Sequence, residues 1–249
     1  MGHKVHPKIF RISTIESWDS KWFSPRKMFP TFLKEDVFIR AYLKKKLREA
    51  AIHKIIIDRS RQTFTITLHT AKPGFIIGRA GAGVEDLKKE LKKRFFRGRR
   101  VTININVQDI GHGSLSAAVV AEQVAIDIEH RMPFRRVMKQ TVDRVMKSGA
   151  EGVRVIVAGR LNGADIARSE RAGAGKVPLQ NLRGNIQYAN TQANTMFGVI
   201  GIKVWIYLGE VFDSVEEAEK RARKSGDTRG RERDQRGPRD RRPAHQTRR

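Results

Sequence analysis

Two clusters of residues have the types and spacing for chemistry on a polyanion. The first is Gly78-Arg79-Ala80-Gly81, which lies between the apolar segment Phe75-Ile76-Ile77 and a helix predicted to begin near Gly83. Two glycines permit a tight turn and close approach of a polymer backbone. The following helix N-terminus offers unpaired N–H groups and a positive dipole end to phosphate. Ile76, Ile77 and Val84 could line an apolar groove for unstacked bases, and Lys88 and Lys89 lie on the outer face of the same helix. The second cluster is Arg135, Arg136 and Lys139, spaced to share one arc of a helix opposite Val137, Thr141 and Val145, with Arg131 just before it. Such an arc suits a phosphate backbone that passes without sequence readout. A plain glycine turn and a solvated helix face are the competing readings.

The chain carries 51 Lys plus Arg against 26 Asp plus Glu, a net charge of +25 over 249 residues. An excess that large opposes compaction until a polyanion neutralises it, and nucleic acid returns binding free energy through counterion release. No apolar run is long enough to span a bilayer, so no membrane partner is expected. The start, Met-Gly-His-Lys-Val-His, lacks the apolar stretch of a signal peptide, and His6 stands where a myristoylation signal has Ser or Thr. The absence of cysteine excludes disulfides, zinc knuckles and thiol catalysis and fits the cytoplasm.

No catalytic residue, metal or cofactor is predicted. Gly78, Gly81 and Gly83 do not have the spacing of a dinucleotide-binding loop. Gly173-Ala174-Gly175-Lys176 resembles the end of a P-loop, but Glu170 replaces its first glycine and Val177 its Ser or Thr. The seven histidines show no metal-ligand spacing, and Glu85, Asp86, Glu122 and Asp127 form no evident acid–base pair. No small-molecule substrate is expected.

The elements that must hold these clusters follow from periodicity. Residues 1–35 read as an irregular arm that packs on something. Residues 36–110 read as an RNA-binding unit: a helix capped by Asp36 and running from Val37 to about Ala50, then strands at His53–Arg59 and Gln62–Thr70, joined by a hairpin or paired non-locally. A short helix, the glycine loop, an amphipathic helix ended by Gly98, and a strand at Val101–Val107 complete it. This order is that of a KH type II domain, whose GXXG loop clamps nucleic-acid backbone. Residues 111–212 read as a second α+β domain. It has helices from Ser114 to about His130 and from Pro133, and strands at Val153–Ala158, Ala164–Ser169, Asn185–Asn190 and Val199–Leu208. Lys203, Trp205 and Tyr207 share the outward face of the last strand, to meet RNA or to pack on protein. Residues 213–249 read as a short helix, around Val215 to Ala222, and a disordered Arg-rich tail.

Several motifs then converge. Met1-Gly2-His3-Lys4-Val5-His6-Pro7, Trp18 with Trp22-Phe23, the Gly78–Gly81 loop, and Phe134-Arg135-Arg136 with Met138-Lys139 occur in order. They are followed by Gly159-Arg160-Leu161-Asn162-Gly163-Ala164-Asp165-Ile166-Ala167-Arg168, Val177-Pro178-Leu179, Gly198-Val199-Ile200-Gly201 and Lys203-Val204-Trp205-Ile206. Together they resemble the ribosomal protein S-three family from residue 1 to about 212. The resemblance implies a place in the head of the small ribosomal subunit, on 16S-type rRNA, beside ribosomal proteins S-ten and S-fourteen. It also implies a position at the mRNA entry, where residues matching Arg135, Arg136 and Lys139 face the incoming mRNA and assist its unwinding without ATP. Arg160, Arg168 and Lys176 join the candidate RNA contacts. The chain departs from the family pattern in an Ala/Gly-rich loop at Arg171–Gly175, in Ala80, and in Lys8-Ile9-Phe10. A free KH-domain regulator or assembly factor, and a lysine-based nucleic-acid lyase, are the alternatives.

Overall fold

The computed structural model describes residues 4–60, 63–96 and 101–212. The expected stop at Gly98, part of the first hairpin turn and the whole tail, with its helix at Val215–Ala222, lie outside the described residues.

Two four-stranded sheets each carry helices on one face. The first sheet has the order β1 (Ser20–Lys21), β2 (Ile52–Arg59), β3 (Thr63–Thr70), β4 (Thr102–Asp109). Strands β2 and β3 form an antiparallel hairpin, and β4 runs parallel to β3. Phe64, Ile66 and Leu68 alternate inward against helix α2 (Phe29–Lys46) and helix α4 (Ala82–Phe95), giving a core with Ile39, Leu43, Leu87 and Leu91. Strict alternation on a half-buried strand fixes this register, since a one-residue slip would turn the apolar set to solvent.

The expected helix start at Asp36 is corrected. Helix α2 begins at Phe29, and Asp36 lies inside it, 2% exposed. Its carboxylate accepts from Ser20 Oγ at 2.8 Å and from Trp22 Nε1 at 3.0 Å. It therefore ties the arm to the helix instead of capping it. The arm is also less irregular than expected, with helix α1 (Pro7–Phe10) and β1, which pairs in parallel with β2.

The second sheet has the order β6 (Arg168–Gly175), β5 (Gly152–Gly159), β8 (Gly198–Glu210), β7 (Gly184–Thr195), all antiparallel. Helices α5 (Ala117–Glu129) and α6 (Phe134–Lys147) cover one face. Helix α5 starts three residues later than the expected Ser114, because Ser116 caps it by accepting from the Val119 N–H. One further expectation is corrected. The strand expected at Ala164–Ser169 lies instead at Arg168–Gly175, so the Ala/Gly-rich segment is strand, not loop. Its glycines are imposed by β5: a Cβ at Gly173 would sit 2.8 Å from the Val153 carbonyl oxygen. Tyr207 does share the outward face with Lys203 and Trp205, since β5 pairs with β8 without a break from Gly201 to Tyr207, but it is 6% exposed and packed beside Gly184, so on this strand end the face meets protein.

The arm spans both cores. Arg11, 1% exposed, donates to the Gly184, Leu179 and Asn181 carbonyls of the second unit at 2.7–3.0 Å. His6 meets Tyr188 edge-on at 4.8 Å. Arg48, just after α2, bridges Glu122 and Glu129 on α5. Beside it, His53 Nδ1 lies 2.7 Å from Ser116 Oγ, so β2 meets the cap of α5. The His53 imidazole is pushed down to about 4, first by burial and then by the positive neighbours His69, Lys54 and Lys8. A lowered histidine pKa stabilises the fold fully above the unfolded value. That stability is lost as pH falls through the window from 6.5 toward about 4. The loss is on the order of 2–3 kcal/mol. Denaturant unfolding across this window should show it in the wild type, and His53→Gln should flatten it. An unchanged slope in the variant would assign the dependence to other groups.

Candidate nucleic-acid interface

The glycine loop is built by backbone geometry that few residues accept. Helix α3 (Pro73–Ile77) ends at Gly78, whose φ of +67° and ψ of −171° are essentially reserved for glycine. A Cβ there would lie 3.0 Å from the Gly83 nitrogen. Ala80 and Gly81 follow in the left-handed region at φ +51° and +83°. Gly83 lets α4 start close against α3, since its Cβ would meet the Ile76 carbonyl oxygen at 2.6 Å. Gly78, Arg79 and Ala80 are exposed, Gly81 is partly exposed, and no side chain caps α4. The Ala82 N–H donates to the Arg79 carbonyl, and the next N–H groups of the helix have no side-chain cap beside Arg79, which makes no ion pair with a described residue.

The apolar flank differs from expectation. Ile76 is 1% exposed and belongs to the core, so it supports the loop from below and cannot touch a base. Ile77 is exposed, as is Phe75, an aromatic missed from sequence, with Lys72 lying 5.7 Å from its ring centroid. Phe75-Ile76-Ile77 spread over more than half of a helical turn, so the three cannot all face the core, and that was the available signal. Lys88 and Lys89 pair with Glu85 at 2.9 Å and Asp86 at 3.7 Å. Lys88 holds the Glu85 carboxyl below the usual carboxylate range by direct hydrogen bonding. Both lysines must exchange these partners to take phosphate.

On the second unit, α6 buries Phe134, Val137, Met138, Thr141, Val142 and Val145 and leaves Arg135, Arg136 and Lys139 exposed on the opposite arc. Strand β6 adds Arg168. Glu170, overlooked in the sequence, bridges Arg135 and Arg168 at 3.2 Å each, and both guanidinium groups lie within 6 Å of the Phe134 ring. The four basic groups, Arg135, Arg136, Lys139 and Arg168, thus form one surface around Glu170, with Arg136 and Lys139 unpaired among the described residues. Arg160 lies at the same end of the sheet, since its neighbour Gly159 faces Arg168 in the register, but it is held by the Ala164 carbonyl and Asp165. Lys176 lies beyond the other end of β6, an eight-residue strand of about 26 Å, and is not brought to this surface. Arg131 takes a left-handed φ of +62° and reaches the Met196 sulfur at 3.5 Å, off the arc.

Glu170 competes with any phosphate for Arg135 and Arg168. Glu170→Gln should tighten RNA binding a few-fold and steepen its salt dependence. Weaker binding in an affinity titration would instead show that the carboxylate is needed to orient the two arginines.

Among the described residues no group of His, Asp and Glu could hold a metal ion, and no helix is long and apolar enough to cross a membrane. Residues 38–114 match the KH domain model, and residues 124–206 match the model for ribosomal protein S3, C-terminal domain. The chain is 47% identical to small ribosomal subunit protein uS3 of Caldicellulosiruptor saccharolyticus, over 91% of this chain and 100% of the relative. It is 47% identical to uS3 of Carboxydothermus hydrogenoformans over 87% and 96%, and to uS3 of Xanthomonas campestris over 86% of each.

Proposed function

Since the chain belongs to the ribosomal protein S3 family, a non-enzymatic family of the small subunit, we propose that its two basic surfaces divide the work of RNA binding. The glycine loop and the α4 N-terminus grip 16S-type rRNA in the head of the subunit. The α6 surface, with Arg135, Arg136, Lys139 and Arg168, faces mRNA at the entry and assists its unwinding by holding separated phosphates, without ATP. Ribosomal proteins S-ten and S-fourteen are the proposed neighbours, and the cytoplasmic ribosome is the site of action.

The observation that carries this reading is the placement of the two surfaces on separate cores, one built from strained backbone and the other from side-chain charge. A backbone clamp suits a static partner, whereas a field of long cations suits a sliding one. The proposed units are an arm at 1–35, a KH unit at 36–110, a second α+β unit at 111–212 and a basic tail; the start of α2 at Phe29 favours moving the KH boundary back to that residue.

Sedimentation of a cell extract at moderate salt tests the placement. The chain should travel with small subunits. Recovery in the free fraction would favour a free KH-domain regulator or assembly factor, and would remove the ribosomal reading.

A further inference from the structure

The outer face of the second sheet is used by neither surface. Helices α5 and α6 close its other side, so alternate residues of the four strands point away from them. The register places Gly173, Arg154, Trp205 and Tyr188 side by side, with Arg171, Ile156, Lys203 and Asn190 as the next row. Neighbours within a row are about 5 Å apart and the rows about 7 Å apart. The arm walls one side, leaving a concavity of about 870 Å³ over Trp205 and Lys203. A second, of about 370 Å³, lies over Gly173 and Gly175, and Arg154 lines both.

Charge decides what fits. No Asp or Glu lines either concavity. Arg154, Arg171 and Lys203 form no ion pair among the described residues, unlike Arg135, Lys88 or Arg160. Trp205 is partly buried, lines the concavity and is held at 5.1 Å from Tyr188, which itself is fixed by His6. A positioned aromatic among unpaired cations is the arrangement that single-stranded nucleic acid uses, with bases stacking and phosphates tracking charge. The bare strip along β6, required by the close approach of β5, leaves room for the backbone to pass.

We propose that this face is a third RNA site, taking a single-stranded segment with a base on Trp205 and phosphates on Arg154, Arg171 and Lys203. The proposal rests on the chain being an RNA-binding protein, but on neither of the two surfaces assigned above.

The test follows tryptophan emission of the full chain during titration with a short, unstructured oligouridylate. The wild type should be quenched, and Trp205→Phe should remove most of the quench although Trp18 and Trp22 remain. Replacing Arg154, Arg171 and Lys203 with Gln should lower the salt slope by about two and the affinity about tenfold or more. An Arg79→Asp variant should keep the quench, which separates this site from the glycine loop. Quenching that persists in Trp205→Phe, or a salt slope untouched by the triple replacement, would overturn the proposal. So would quenching by polyglutamate but not by RNA, which would assign the face to an acidic protein.

Discussion

Replacing Arg79 and Ala80 together with Asp should weaken binding of the full chain to 16S-type rRNA by about tenfold to a hundredfold. One charge-assisted hydrogen bond to phosphate is worth about 1.5–3 kcal/mol, and two new carboxylates add repulsion to its loss. The fold should survive. Arg79 is exposed, and Ala80 holds a φ of +51° that Asp accepts at least as well as Ala. Anisotropy titration with an rRNA fragment gives the affinity, and a thermal melt verifies the fold. Unchanged affinity in a folded variant would mean that the loop is only a turn between two helices.

The second large effect is expected on α6. Changing Arg135, Arg136 and Lys139 to Ala should slow translation through structured mRNA severalfold, with little effect on unstructured messages or on subunit assembly. Alanine is the strongest helix former and the three positions are exposed, so α6 should stay intact. Three lost phosphate contacts on a single strand should reduce the salt slope of message binding by about two. A ribosome profile with normal small subunits but slow passage of a hairpin-bearing reporter would support this assignment. If subunits fail to form while passage is normal, the α6 surface holds rRNA instead.

These two surfaces were legible in the sequence for different reasons. The α6 arc follows from helical period alone, and every predicted inward residue is buried. The loop was legible as a glycine pattern, but not as to which neighbour lines it, because Phe75-Ile76-Ile77 is uniformly apolar and only the helical turn sorts Ile76 inward. Asp36 carried a strong local capping signal that tertiary structure overrode: its Oδ2 accepts from both Ser20 and Trp22, sixteen and fourteen residues earlier. Strand β6 was misplaced because Ala172-Gly173-Ala174-Gly175 has the composition of a loop. Its glycines answer to the β5 backbone, a partner invisible in a local window. Glu170 was missed for a similar reason, since its role comes from facing α6 across the fold.

Where the positive charge is engaged also sharpens the account. Lys88, Lys89, Arg48 and Arg160 are partly neutralised by carboxylates of the chain itself. Arg11 is consumed by carbonyls that fasten the arm. Arg79, Arg136 and Lys139 make no ion pair with described residues, and they sit at the two sites given different partners here.

The division between static and moving RNA is tested most directly by placing a photo-crosslinker at position 136, and separately at position 79, in reconstituted small subunits. The predicted result is that position 136 crosslinks message only when message is present, while position 79 crosslinks rRNA in either case. Crosslinking of position 136 to rRNA in subunits without message, undiminished when message is added, would contradict it.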